Sequence, residues 1–272
     1  MQALAEKMET DMLTMYQEVP NVVTGADPGV LAELVTLRKT LNDLDVPKDQ
    51  RFLALTSERE ADFLNITNFL NANEGSDGAA TQREGFLGRK YGFDLYENQS
   101  QPNHTKGTLS SAVPVTNGTP AAGAEIMNID LGTLTGTVVP GDTFVIAGNT
   151  QRYAVTGTHT AAANAIVGLT FTPGLAAAPG DGVVCTFTLQ TKGVSLAYHR
   201  EAFALAMAPL SMRGNGKGAQ IATVRDPRTN LTIRASMWYE PKDAESWIRF
   251  DALWGKKVLD GNRATRYEGP TV

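Results

Sequence analysis

Apolar residues near the start of the chain fall at helical intervals. Leu4, Met8, Met12, Leu13 and Met15 mark a helix over residues 3–17, stopped by Pro20. A second helical face, Val30, Leu31, Leu34, Leu37 and Leu41, opens after Asp27-Pro28, with Asp27 placed to cap it and Pro28 in its first turn. Val46-Pro47 then turns the chain into a short strand, Arg51 to Leu55. Ser57 followed three residues later by Glu60 is a capping box that opens a third helix to about Leu70. Residues 71–84 read as a polar loop, and the chain returns to strand at Tyr91 to Tyr96.

The pattern changes at Gly107. Short apolar runs now alternate with Gly, Pro and Asn turns: strands are predicted at Ile126–Leu131, Asp142–Ala147, Gln151–Thr156, Ile166–Thr172 and Gly182–Leu189. Val139-Pro-Gly-Asp142, Gly148-Asn149, Pro173-Gly and Pro179-Gly-Asp-Gly182 supply the turns. After Thr191 the spacing lengthens again. Val194 to Tyr198 reads as a strand, Glu201 to Met207 as a short helical turn ended by Pro209, and the remainder as an antiparallel meander. Its strands are Gln220–Arg225, Leu231–Tyr239 and Trp247–Leu259, turned at Asp226-Pro-Arg-Thr-Asn230 and at Pro241-Lys-Asp243.

Composition sharpens the division. Residues 107–191 hold only five charged side chains (Glu125, Asp130, Asp142, Arg152 and Asp181) but 16 threonines, whereas the flanks carry nearly all the charge. The reading is an α+β core built from residues 1–106 and 192–272, with an all-β, barrel-like domain at 107–191 inserted into a surface loop. With 42% hydrophobic and 19% charged residues the chain is globular. A net charge of −5 argues against a dedicated nucleic-acid binder. No stretch has the length and apolarity of a membrane helix, and the first residues lack the pattern of a secretion signal.

Candidate chemistry is sparse. The single cysteine, Cys185, excludes an intrachain disulfide and a cysteine zinc site, and its apolar neighbours mark it as a core residue. His104 and His159 fall in predicted loops and His199 lies between ionisable neighbours, with no spacing that suggests a metal site or hydrolytic triad. Arg213-Gly-Asn-Gly-Lys-Gly218 lacks the Walker spacing and the hydroxyl residue after Lys217, so it reads as a turn. Trp238, Tyr239, Trp247 and Trp254 read as core or interface residues of the meander. No catalytic residue, metal ligand or cofactor is assigned.

Four segments of the flanks resemble tailed-bacteriophage coat proteins. They are LRKTLNDLDVPKDQRFLALTSEREADFL (37–64), GFLGRKYGFDLYENQSQP (85–102), SLAYHREAFALAMAPL (195–210) and IRFDALWGKKVLDGNRATRY (248–267), in the order found in that family. The resemblance is to the Hong Kong ninety-seven-type fold, in its P-twenty-two-type group, which carries a β-domain between the second and third segments. It implies peripheral and axial domains, a long spine helix of which residues 3–17 form part, and a non-enzymatic subunit of an icosahedral virion shell. Family members have an N-terminal arm and an extended hairpin loop before the spine helix. This chain begins within that helix, so both elements are expected to be missing from it.

The partners implied are other copies of the chain in hexameric and pentameric capsomers, scaffolding and portal proteins, and packaged double-stranded DNA held by confinement, without a membrane. Assembly would take place in the bacterial cytoplasm. Charged loop residues are the candidate intersubunit contacts: Arg83, Glu84, Arg89 and Lys90 before the insertion, and Arg213 and Lys217 in the glycine-rich turn. Two other readings compete. One is a phage decoration or adhesion protein that binds through the Thr-rich β-domain. The other is a hydrolase using His199 with nearby acids.

Overall fold

The computed structural model describes residues 2–26, 30–66, 87–210, 220–225, 232–242 and 244–269. It divides into two compact units: residues 13–202 with 258–272, and residues 1–12 with 203–257.

The first helix, α1 (Gln2–Leu13), tightens into a 3-10 turn over Thr14–Glu18 before Pro20 removes the next backbone donor. The predicted cap at Asp27-Pro28 lies outside the described residues. Helix α2 (Leu31–Asp43) buries Leu34, Leu37 and Leu41, and the Glu33 carboxylate reaches back to accept the Val30 N–H at 3.3 Å. The predicted capping residue of α3 (Ser57–Leu64) is displaced by one. Thr56 is the N-cap, its hydroxyl accepting the Arg59 N–H, while the Ser57 hydroxyl donates to Glu97 across the sheet end at 2.7 Å. Helix α3 closes at Leu64, where the Asn65 N–H donates to Ala61 O, short of the expected Leu70.

These helices pack on a mixed sheet. Its strands in spatial order are β1 (Val22–Thr24), β20 (Ala264–Glu268), β14 (Lys192–His199), β2 (Arg51–Leu55), β4 (Phe93–Glu97) and β3 (Arg89–Lys90), and β5 (Asn103–His104) also pairs with β14. Two pairs are parallel, β1 with β20 and β2 with β4, and the others are antiparallel. The period-2 alternation of β2 turns Leu53 and Leu55 inward with Phe93, Leu95, Ala197 and Tyr267, against the leucines of α2 and Phe63 of α3.

A second core lies in the β-rich segment. Its strands are β6 (Val115–Asn117), β7 (Ile126–Asp130), β8 (Thr137–Val138), β9 (Thr143–Ile146), β10 (Arg152–Val155), β11 (His159–Thr160), β12 (Ala165–Thr172) and β13 (Cys185–Thr188). Six of them form an antiparallel sheet in the order β13-β9-β10-β12-β7-β6, with β8 and β11 as a separate pair. The ends of that sheet meet: Val115 bridges Val184, and the Cys185 N–H donates to Pro114 O at 2.8 Å, so the sheet curls shut into a barrel. Phe144 sits at its centre with Tyr153, Phe171 and Phe187 at centroid distances of 5.0–5.4 Å. Every residue of this core lies between Leu109 and Leu189.

The other unit contains β15 (Phe203–Met207), β16 (Gln220–Arg225), β17 (Thr232–Glu240), β18 (Glu245–Asp251) and β19 (Trp254–Val258). The predicted helical turn at Glu201–Met207 is corrected. Only Arg200–Ala202 turn, and Phe203–Met207 is a strand paired with β19, because Phe-Ala-Leu-Ala-Met alternates and has a strand to pair with. The predicted single strand Trp247–Leu259 is two strands broken at Ala252-Leu253. Trp254 and Lys256, two apart and so on one side of β19, both reach Asp11 on α1. The Trp254 indole N–H donates at 2.9 Å and Lys256 Nζ at 2.6 Å.

Those two donors, Lys256 first, hold the Asp11 carboxyl below its ordinary value of 3.8. A depressed carboxylate pKa stabilises the folded chain above the unfolded value, and the contribution is lost as pH falls through the folded one. Asp11→Asn is therefore expected to be less stable than the wild type at pH 7, by a modest amount because the pair is half exposed. The gap should close in thermal melts as the pH drops below 3.8.

Candidate assembly surface

Two features distinguish this fold chemically: a buried polar junction beneath the barrel, and an exposed apolar face on the meander. The chain enters the β-rich segment on β5 and leaves it on β14, and these two strands are hydrogen-bonded neighbours, with His104 opposite Lys192. Entry and exit lie side by side, so the segment hangs from two adjacent strands.

Arg266 on β20 is the centre of the junction. It has no exposed surface, and its guanidinium donates to Val19 O (2.7 Å), Gly141 O (2.5 Å) and Gln17 O (3.3 Å). One side chain thus ties the turn after α1 to the β-rich segment. Burial pulls the guanidinium down to about 10, which leaves it charged at neutral pH, and Glu268 lies 3.7 Å away as counter-charge. Glu268 also receives Lys192 Nζ at 2.5 Å. The guanidinium lies 5.5 Å from the centre of the Tyr16 ring.

A second chain of bonds runs alongside. The Tyr16 hydroxyl and His104 Nδ1 share a hydrogen bond (3.2 Å), and His104 Nε2 bonds the Asp142 carboxylate (3.0 Å). Asp142 also accepts the Gly107 N–H (3.1 Å) and the Val139 N–H (2.9 Å). Burial raises the Tyr16 hydroxyl above its ordinary pKa, which keeps it neutral. Glycine is required at two points. A Cβ on Gly141, whose φ is 99°, would lie 2.9 Å from the His104 ring, and one on Gly107 would lie 2.3 Å from Thr137 O.

The Tyr-His-Asp sequence resembles a proton relay, but all three side chains are buried and spend their polar atoms on one another. His104 stands in β5 and His159 in β11, which corrects the reading of both as loop residues. His159 Nε2 accepts the Thr170 N–H, and His199 Nδ1 accepts the Glu201 N–H. Each of the three histidines thus has a hydrogen-bond partner within the chain. Cys185 is fully buried, and burial pushes its thiol up to about 12. Among the described residues no group of three or more His, Cys, Asp or Glu side chains could hold a metal ion, and no helix is long and apolar enough to cross a membrane.

The meander presents the opposite chemistry. Cross-strand register places Val224, Met237, Tyr239, Ile248 and Phe250 on one face, together with Ala222, Ile233, Ala235, Gln220 and Ser246. That face carries no charged residue. The charged side chains Arg225, Arg234, Glu240, Glu245, Arg249 and Asp251 all lie on the other. The five larger apolar side chains are between 45% and 67% exposed. Together they leave on the order of 500 Å² of apolar surface uncovered, in the upper part of the range for the largest patch on a monomeric protein.

Of the predicted contact residues, Arg83, Glu84, Arg213 and Lys217 lie outside the described residues. Arg89 and Lys90 form the hairpin strand β3, where Arg89 is exposed and stands 3.7 Å from Asp94. Sequence reasoning missed Arg266, Lys192, Glu268 and Tyr16. Charged residues inside the apolar strands β14 and β20 are the signal that could have singled out the first three.

No protein-family model and no curated protein matches the chain. Among solved structures, one titled Mycobacterium phage Che8 is similar at 12% identity and a TM-score of 0.45, covering 98% of this chain and 59% of that one. The capsid structure of the cyanophage P-SCSP1u is similar at 10% identity and a TM-score of 0.45, covering 99% and 63%. This chain spans about three fifths of the length of those two.

Asp142→Ala would strand two buried donors and one part-buried one, and a loss of about 3 kcal/mol is expected in denaturant unfolding. Lys39→Ala, which removes one partner of the exposed Lys39–Asp43 pair, should change stability by less than about 0.5 kcal/mol.

Proposed function

We propose that this chain is a structural subunit of a bacteriophage capsid, the major coat protein, which assembles with copies of itself into an icosahedral shell around double-stranded DNA. The observation that carries the reading is the uncovered, charge-free face of the meander. Two copies that cover this surface remove about 1,000 Å² from water, close to the lower bound of specific interfaces. A shell subunit uses many such modest contacts, closed cooperatively by symmetry.

The order of the four coat-like segments supports the same reading. In its terms, α1 with the meander corresponds to the peripheral domain, α1 being the end of the spine helix. The mixed sheet with α2 and α3 corresponds to the axial domain, and residues 107–191 to the inserted β-domain. Arg266 and Asp142 then hold the inserted domain in one orientation on the axial sheet. Scaffolding and portal proteins are the further partners of the assembly, which takes place in the host cytoplasm. The acidic balance suits a wall that confines DNA without binding it.

Negative-stain electron microscopy tests this, on the purified chain and on a version extended by an upstream arm and hairpin loop. Shells, sheets or capsomer rings are expected from one or both. The double variant Ile248→Lys/Phe250→Lys should lose them while keeping its circular dichroism spectrum. Single particles of monomer size from both versions at high concentration would overturn the coat reading. Charge reversal at Arg89 is expected to reduce assembly several-fold, measured by light scattering, if the β3 hairpin is also a contact.

A further inference from the structure

The outer edge of the meander commits to a partner more closely than its face does, and this inference rests on the reading of the chain as a self-assembling subunit. Strand β18 is exposed from Glu245 to Phe250 and, among the described residues, pairs with β17 alone. An open strand edge presents a row of unpaired backbone donors and acceptors, and proteins that stay monomeric block such edges with proline, lysine, a bulge or a covering segment. Proline, lysine and a bulge are absent from Glu-Ser-Trp-Ile-Arg-Phe-Asp, and of the charged side chains that also guard edges it holds Glu245, Arg249 and Asp251. Its register against β17 runs unbroken from Glu240 opposite Glu245 to Arg234 opposite Asp251. Side chains on both faces of the strand, Trp247 on one and Ile248 and Phe250 on the other, are at least half exposed.

Of the registers that pair at least five residues of this strand with its copy, those centred on Trp247, Ile248 and Arg249, one is self-complementary in charge. Glu245 and Arg249 stand two residues to either side of Trp247. Two antiparallel copies centred on Trp247 set Glu245 opposite the partner's Arg249, twice, with Trp247 against its own copy and Ser246 opposite the partner's Ile248. Centring on Ile248 instead places Glu245 opposite the partner's Asp251, and centring on Arg249 places that residue against itself. Arg249 is 65% exposed and bonds Asp251 of its own chain at 2.6 Å, while Asp251 is also held by Arg234 at 2.7 Å. Arg249 can therefore turn toward a second copy without leaving Asp251 unpaired.

We propose that β18 pairs antiparallel with β18 of a second copy about a twofold axis at Trp247, joining two meanders into one six-stranded sheet. The pairing is isologous, so one surface serves both copies. It also brings two apolar faces side by side on the same side of the joined sheet, doubling the patch available to the remaining contacts of a shell.

The test uses the full chain, with self-association measured by sedimentation over a range of concentrations. Glu245→Arg alone and Arg249→Glu alone each place like charges together twice, and each is expected to weaken association by about tenfold. The double variant Glu245→Arg/Arg249→Glu restores both pairs and should recover it. A second readout does not depend on charge. Trp247→Cys faces its own copy at a cross-strand Cβ separation of about 4.5–5.5 Å and should give a disulfide-linked dimer under mild oxidation. Ile248→Cys, which faces the partner's Ser246, should link far less, and Cys185 is buried and silent.

Failure of the double variant to recover, equal linking at positions 247 and 248, or a chain that stays monomeric throughout would each overturn the pairing. Shells that form with no response to the charge changes would sink the pairing and leave the coat reading standing. A linked dimer at position 247 from a chain that never forms shells or rings would do the reverse.

Discussion

A guanidinium without access to water must find its hydrogen bonds and its counter-charge inside the protein, and for Arg266 that means three carbonyls from two distant parts of the chain and a neighbouring carboxylate. Leaving any of them unmet would cost several kcal/mol, a large fraction of the net stability of a domain. The arrangement around it is therefore over-determined. The turn after α1, the strand β20 and the Gly141 corner of the barrel have one relative position in which the charge is satisfied. Asp142 repeats the constraint with the sign reversed, collecting donors from His104, Gly107 and Val139.

This explains how a segment with its own hydrophobic core can be fastened rigidly to another. The barrel core and the core of the mixed sheet share no residue, and apolar packing is not directional. Hydrogen bonds to buried charges are directional, and they sit where the chain crosses from one core to the other. In a shell subunit a fixed angle at this junction would make every copy present the same outline to its neighbours.

The meander follows a different rule. Its charged side chains all lie on one face, and the other, which holds most of its larger apolar side chains and no charge, is left open to solvent. A monomer gains nothing from that sorting, whereas an assembly recovers the hydrophobic free energy when the face is covered. The junction and the meander thus differ in kind. One fixes the β-rich segment on the mixed sheet, and the other leaves apolar surface open to solvent.

Local pattern by itself determined the three helices and the strands β2, β4, β14, β16 and β17 of the flanks, the rhythm of the β-rich segment and the burial of Cys185, because periodicity and turn chemistry act over a few residues. The strand Arg51–Leu55 is legible in full from its alternation. Where two local signals competed, packing chose between them. Thr56 rather than Ser57 caps α3 because Ser57 faces Glu97, and Phe203–Met207 is a strand because β19 lies beside it. The apolar face of the meander was present in the residues, but reading it required the register of three strands. The junction left only a faint trace in the sequence, charged residues within apolar strands. Arg266, Lys192 and Glu268 look like ordinary charged residues in sequence, and only the tertiary structure, by closing two cores over them, decided that they are buried and must answer one another.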